Sequence, residues 1–155
     1  MKARNGFTLV EILIVVVILG ILAAIVIPQF TEASNEARTS SLVSDLQTVR
    51  SQIELFKIQH EDALPGAATD TTAADALTSY TDLDGTVSST QAPGVGRFGP
   101  YLQKIPTNPF ASANGNVILE VIANPVLDAG TGDPGWFFNT ITGAFGANTA
   151  GDEEL

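Results

Sequence analysis

From Ile12 through Thr31 the chain carries no charged side chain; Glu11 and Glu32 bound the run. As a helix, about 20 residues at about 1.5 Å each cover about 30 Å, the hydrocarbon thickness of a bilayer. The run is rich in Ile and Val, mediocre helix formers in water. In lipid the backbone must satisfy its own hydrogen bonds, so a helix over Phe7–Ile27 is predicted. Pro28 removes a donor and crowds the preceding turn, which predicts a kink or local melting over Ala24–Pro28. Gly20 is a second soft point, or a small residue that lets another helix approach.

From Gln29 the pattern turns amphipathic without a break. Leu42, Leu46, Val49, Ile53 and Phe56 recur at spacings of 4, 3, 4 and 3 and so share one helical face. Arg50, Glu54 and Lys57 can pair along the solvent side. The helix is expected to stop at Leu64-Pro65-Gly66. Its apolar stripe is expected to pack on a sheet, with self-association through the stripe as the alternative.

The next stretch is rich in Thr, Ser, Ala, Gly and Asp. It predicts a short helix over Thr71–Tyr80 capped by Asp70, with Ala73, Leu77 and Tyr80 on one face. A loop over Thr81–Gly96 comes next, with Asp82–Gly85 as a turn. Period two returns at Asn116–Ala123, at Trp136–Ile141 and at Ala144–Ala147, the last two joined by a turn at Thr142-Gly143. Three strands predict a small antiparallel sheet whose apolar face covers the helical stripe. The fold class is α+β, a lollipop of rod and head. Its parts are a short basic N-terminal stretch over 1–6, a transmembrane helix over 7–30, an amphipathic helix over 31–64 and a head over 65–155. Gly151–Leu155 reads as a solvated acidic tail.

Composition narrows the function classes. Seven basic against seventeen acidic side chains give a net charge of -10. Without Lys2 and Arg4 the balance is -12, and no basic patch for nucleic acid is visible. There is no cysteine, so no disulfide can staple the head. Lys2 and Arg4 hold the N-terminus on the cytoplasmic side, which points the rest outward. An ordinary cleaved signal has a shorter apolar run and a small-x-small site after it; here the run is longer and Pro28–Asn35 offers only a poor site. A plain membrane anchor is the other alternative.

Catalytic chemistry is not legible. His60, the sole histidine, sits beside Glu61 and Asp62 at a helix end, where a favourable charge at the helix C-terminus is expected rather than a ligand or base. No glycine-rich phosphate loop succeeds a strand. No enzyme activity, catalytic residue or cofactor is expected. Glu11 stands apart, because a carboxylate at the edge of an apolar run costs roughly 2–4 kcal/mol in lipid and calls for a partner, unless it snorkels to the interface.

Lys2-Ala3-Arg4-Asn5-Gly6, then Phe7-Thr8-Leu9-Val10-Glu11, then an apolar run with Gly20 and Pro28, resembles the class III signal of type IV pilins and type II secretion pseudopilins. Gly99-Pro100-Tyr101-Leu102 with Pro106, Pro109 and Phe110 resembles a segment of the major pseudopilins of type II secretion. By its residues this segment is a structural corner that packs Tyr101, Leu102 and Phe110 on the core, with prolines that fix an irregular path.

The resemblance implies a type IV pilin-like fold and a leader over 1–6, removed by a prepilin peptidase that cuts between Gly6 and Phe7, with N-methylation of Phe7. It implies that Glu11 neutralises the Phe7 amine of a neighbouring subunit as a homopolymer grows. The implied location is the bacterial inner membrane, head in the periplasm, and the implied partners are an inner-membrane assembly platform and minor pseudopilins. The function expected is a structural subunit of a type II secretion pseudopilus. A surface pilus for adhesion, motility or DNA uptake is the alternative, as is a membrane-anchored periplasmic module that never polymerises. Major pseudopilins commonly hold calcium in a C-terminal loop. Asp128 and Asp133 are weak oxygen-donor candidates here, without a residue-by-residue match.

Overall fold

The computed structural model describes residues 7–92, 94–111, 114–122 and 134–148. Its contacts divide the chain into two compact units, Met1–Arg38 and Thr39–Leu155. The leader, Ala123, Asp128, Asp133 and the acidic tail lie outside the described residues.

The described part of the first unit is helical from Leu9 onward, the start of α1 (Leu9–Gln59). Its apolar side chains from Ile12 to Ile27 are exposed. Among the described residues, α1 is the helix long and apolar enough to cross a membrane, and its apolar window is unburied. The local melting expected over Ala24–Pro28 does not occur, since α1 is unbroken through Pro28. Losing one donor leaves the neighbouring bonds intact, and the Thr31 hydroxyl donates to the Ile27 carbonyl at 3.2 Å.

In the second unit the stripe behaves as its spacing requires. Leu42, Leu46, Val49, Ile53 and Phe56 are all at most 2% exposed. The core adds Ala73, Leu77, Ile105, Trp136, Phe138, Phe145 and Ala147 to the stripe. Lys57 pairs with Glu54 at 3.3 Å, and the Arg50 Nε donates to the Phe145 carbonyl at 3.0 Å.

The helix stops at Gln59, before the proline-glycine signal. The Asp62 amide turns back to the Lys57 carbonyl at 2.8 Å, with Glu61 and Asp62 at φ of 54° and 71°. This is a Schellman-type end built without glycine. The short helix α2 (Ala73–Thr78) is capped by Thr72, whose hydroxyl accepts from the Asp75 amide, and not by Asp70. Asp70 has φ of 59°, whereas an N-cap needs an extended backbone. Tyr80 leaves the helix to start β1 (Tyr80–Thr81), which pairs antiparallel with β2 (Val87–Ser88) around the Asp82–Gly85 turn. The expected loop over Thr81–Gly96 therefore contains a small hairpin; its two-residue strands are too short to show a period.

The α+β class holds, with one change in the main sheet. Its order is β3-β4-β5, with β3 (Ile118–Val121), β4 (Trp136–Asn139) and β5 (Phe145–Ala147). The pair β4–β5 is antiparallel, joined at Thr142-Gly143 as expected, with Gly143 at φ of 76°. The pair β3–β4 is parallel, Ile118 opposite Trp136 and Val121 opposite Asn139. The sheet is therefore mixed, not purely antiparallel. A parallel pair needs a crossover of about a dozen residues, and the chain between Val121 and Trp136 supplies that length.

The corner from Gly99 to Phe110 packs as its residues suggest. Tyr101, Leu102 and Phe110 lie partly buried against the core. Both the Tyr101 and Leu102 amides donate to the Leu77 carbonyl, and Trp136 Nε1 donates to the Pro106 carbonyl at 2.8 Å. Buried Asn108 donates from Nδ2 to the Gly135 carbonyl at 2.7 Å and accepts the Phe110 amide on Oδ1 at 2.9 Å. Gly135 there lies against Gly115, where an added Cβ would meet the Gly115 oxygen at 2.2 Å.

Candidate functional site

The start of α1 is the polar end of an otherwise apolar segment. Thr8 immediately precedes the helix and Glu11 stands three residues on. Thr8 Oγ1 accepts the Glu11 amide at 3.2 Å and donates to Glu11 Oε2 at 2.9 Å. The Thr8 amide donates to the same oxygen at 2.8 Å. This is a capping box, two helix-start donors satisfied reciprocally by two side chains. Glu11 thus has partners within its own chain, which neither the snorkelling nor the pairing reading included. Thr8 is the residue those readings missed. Its signal was present, since Thr-x-x-Glu before an apolar run is the capping-box pattern.

The box fits the local physics. The first helical amides have no partner within the helix and carry partial positive charge. Where lipid replaces water, a carboxylate folded back onto those amides satisfies both itself and them. Phe7 is the residue just before the cap, exposed and non-helical. The Glu11 carboxylate is therefore held one residue from the Phe7 nitrogen along the chain. Gly6 lies outside the described residues.

A second polar cluster lies in the head. His60 is 1% exposed, not a solvated charge at a helix end. Its Nδ1 lies 2.9 Å from the Phe56 carbonyl, which can only accept, so Nδ1 carries hydrogen. Its Nε2 meets the Thr81 hydroxyl at 3.0 Å. The ring stacks on Phe56 at 3.8 Å between centroids and meets the edge of Phe98. With both nitrogens engaged, one face stacked on Phe56 and the Phe98 ring meeting it at 62°, His60 fastens the β1 strand to the helix end and is not placed as a base or ligand. The sequence reading missed this because Thr81 and Phe98 are distant in sequence. Beside it Tyr101 donates to Gln59 Oε1 at 2.6 Å; burial raises its hydroxyl above the ordinary value, and the Thr81 hydroxyl opposes that.

Glu61, Asp82, Leu83, Asp84 and Arg97 line an open pocket nearby. The Asp82 carboxylate accepts the Gly96 amide at 2.9 Å. The Asp84 carboxylate accepts the Thr86 amide, which holds it below the usual range although it is fully exposed. These carboxylates hold turns. Among the described residues no group of three or more His, Asp or Glu could hold a metal. The calcium candidates Asp128 and Asp133 are outside the described residues. Glu120 on β3 reaches across to accept the Ala73 amide, fastening the start of α2 to the sheet.

Comparison with known proteins bears on the first of these sites. Residues 1–27 match the family described as the prokaryotic N-terminal methylation motif. A fimbrial protein of Pseudomonas aeruginosa is 37% identical over 90 residues, 57% of this chain and 58% of the relative. The type II secretion system core protein G of Aeromonas hydrophila is 27% identical over 117 residues, 72% of this chain and 71% of the relative. The protein of the same name in Pseudomonas aeruginosa is 37% identical over 59 residues, 38% of this chain and 42% of the relative. The chain thus spans a little over half the length of the fimbrial relative it matches. No solved structure matches significantly. Residues 1–27 thus carry the prokaryotic N-terminal methylation motif, and the chain's relatives include type II secretion core G proteins and a fimbrial protein.

Proposed function

We propose that this chain is a non-enzymatic structural subunit that polymerises into the pseudopilus of a type II secretion system. The observation that carries the reading is the single carboxylate, Glu11, held at the start of an exposed apolar helix inside an N-terminal methylation motif. A prepilin peptidase cuts between Gly6 and Phe7 and the new amine of Phe7 is methylated. The subunit waits in the inner membrane with its head in the periplasm. It then joins a homopolymer through an assembly platform and minor pseudopilins.

The chemistry of the first turn supports an exchange of partners. A free α-amine titrates near pH 8 and is charged in the cell. Its burial among apolar helices without a counter-ion costs several kcal/mol, and so does that of a bare carboxylate. Thr8 satisfies the carboxylate while the subunit is alone. A neighbour's Phe7 amine supplies full opposite charge once the helices pack. Open head-to-tail repetition of that contact gives a fibre.

A surface pilus is the second reading, and the 37% identity to a fimbrial protein favours it. Genes beside this one discriminate the two: a secretion ATPase with an outer-membrane channel fits the pseudopilus, a retraction motor fits the pilus.

The test is intact-mass spectrometry of the protein from its native membrane, with electron microscopy of sheared fibres. The expected mass is that of a chain beginning at N-methylated Phe7. Glu11→Leu is expected to insert and be cut as usual while yielding at least tenfold fewer filaments. A chain still beginning at Met1, or wild-type filament yield from Glu11→Leu, overturns the reading.

A further inference from the structure

The membrane-distal part of the first unit carries its charges on two sides of one helix. From Phe7 to Val49 the one basic side chain is Arg38. Ile27, Phe30, Thr31, Ser34, Asn35 and Arg38 line an open groove of about 470 Å³ along one face. Phe30 stands 72% exposed in it. At about 100° per residue, Glu32 and Glu36 point about 120–160° away from Arg38. The two glutamates are exposed and spaced i,i+4, so they repel each other by a few tenths of a kcal/mol in an isolated helix. Gln29 and Ala33 lie beside them.

We propose that this groove is an interface for a second copy of the chain. The Phe30–Arg38 face of one subunit receives the Glu32–Glu36 face of the next. The inference rests on the filament reading above and deepens it by naming a contact outside the Glu11 site. Charge commits the occupant to another copy. One face offers the single cation of this stretch and the other an acidic pair. Because both faces sit on the same helix, each copy offers one and receives the other. The contact is therefore heterologous and repeats without closing, as a fibre requires. Arg38 lies two residues from Glu36 and six from Glu32 along the chain. An ion pair with either sets parallel neighbours about 3–9 Å apart along the axis. A neighbouring guanidinium between the two glutamates also removes their mutual repulsion.

The test is a double-mutant cycle on filament yield with the full chain in its native secretion background. Neutral glutamine is used because added periplasmic cations would act on membrane orientation. Arg38→Gln alone, and Glu32→Gln with Glu36→Gln, are each expected to lower the sheared-filament yield about fivefold, with membrane level and cleavage unchanged. All three together are expected to cost no more than the worse of the two, because the partners act as one contact. Wild-type yield from Arg38→Gln overturns the inference, and so do effects that multiply in the triple variant. Both results leave the filament reading standing. A wild-type chain that forms no filament in the same assay overturns that reading and this one together.

Discussion

Single residues in the head carry more than their type announces. Asn108 is buried within a proline-rich corner, and its side chain closes two bonds that hold Gly135 and Phe110. Asn108→Ala leaves the part-buried Phe110 amide without its partner and takes one of two donors from the Gly135 carbonyl, which keeps the Asn148 amide at 3.0 Å. The expected loss is about 1–2 kcal/mol, read as a lower urea midpoint for the full chain in detergent. Tyr101 predicts the alkaline limit. Its hydroxyl is raised above the ordinary 10.0 by burial, so the folded state holds that proton more tightly than the unfolded chain does. The stability this contributes is fully present below about pH 10 and is lost as pH rises through the folded value. Tyr101→Phe is expected to flatten the fall in stability above pH 10, monitored by circular dichroism. His60 shows why residue type alone misleads: a histidine near a helix end reads as a surface charge until Thr81 and Phe98 close over it.

At the scale of elements, the end of α1 shows local signals competing. The helix leaves its path five residues before Leu64-Pro65-Gly66, at Gln59. Glu61 takes the left-handed position that glycine fills in most such ends. A side chain there costs about 1 kcal/mol, so Glu61→Gly is expected to stabilise the head by about that amount, as a rise in thermal midpoint. Overturning would come from a fall in that midpoint. The hydrophobic stripe, by contrast, was legible residue by residue. Its five members sit on one face by spacing alone, and any fold that buries that face buries all five. The sheet was legible as strands and as the β4–β5 hairpin, but not in the direction of β3. Period two marks which residues alternate, and it says nothing of whether β3 runs with β4 or against it.

At the scale of the whole molecule, the capping box allows the capping role of Glu11 to be tested apart from its proposed pairing role. Thr8→Val keeps the Glu11 charge but removes the hydroxyl that holds it. The first turn loses about 1 kcal/mol, the usual worth of a cap. The expected outcome is a subunit that is still cut and still assembles, with filament yield reduced less than in Glu11→Leu. Yield as low as in Glu11→Leu would instead make the hydroxyl part of the intersubunit contact. Quantitative electron microscopy of sheared fibres decides between them.

By itself, the sequence determined the features that depend only on order along the chain. An apolar run ending at a lone glutamate, the helical stripe, the alternating strands and the Thr142-Gly143 turn are each set by neighbours within a few residues. Periodicity and turn chemistry are local, so they can be read without the fold. The tertiary structure alone decided the features that depend on distant partners. It closed Thr81 and Phe98 around His60 and put β3 parallel to β4. Those outcomes depend on which surfaces remain to be covered once the stripe has found its sheet, and that competition has no signature in local order.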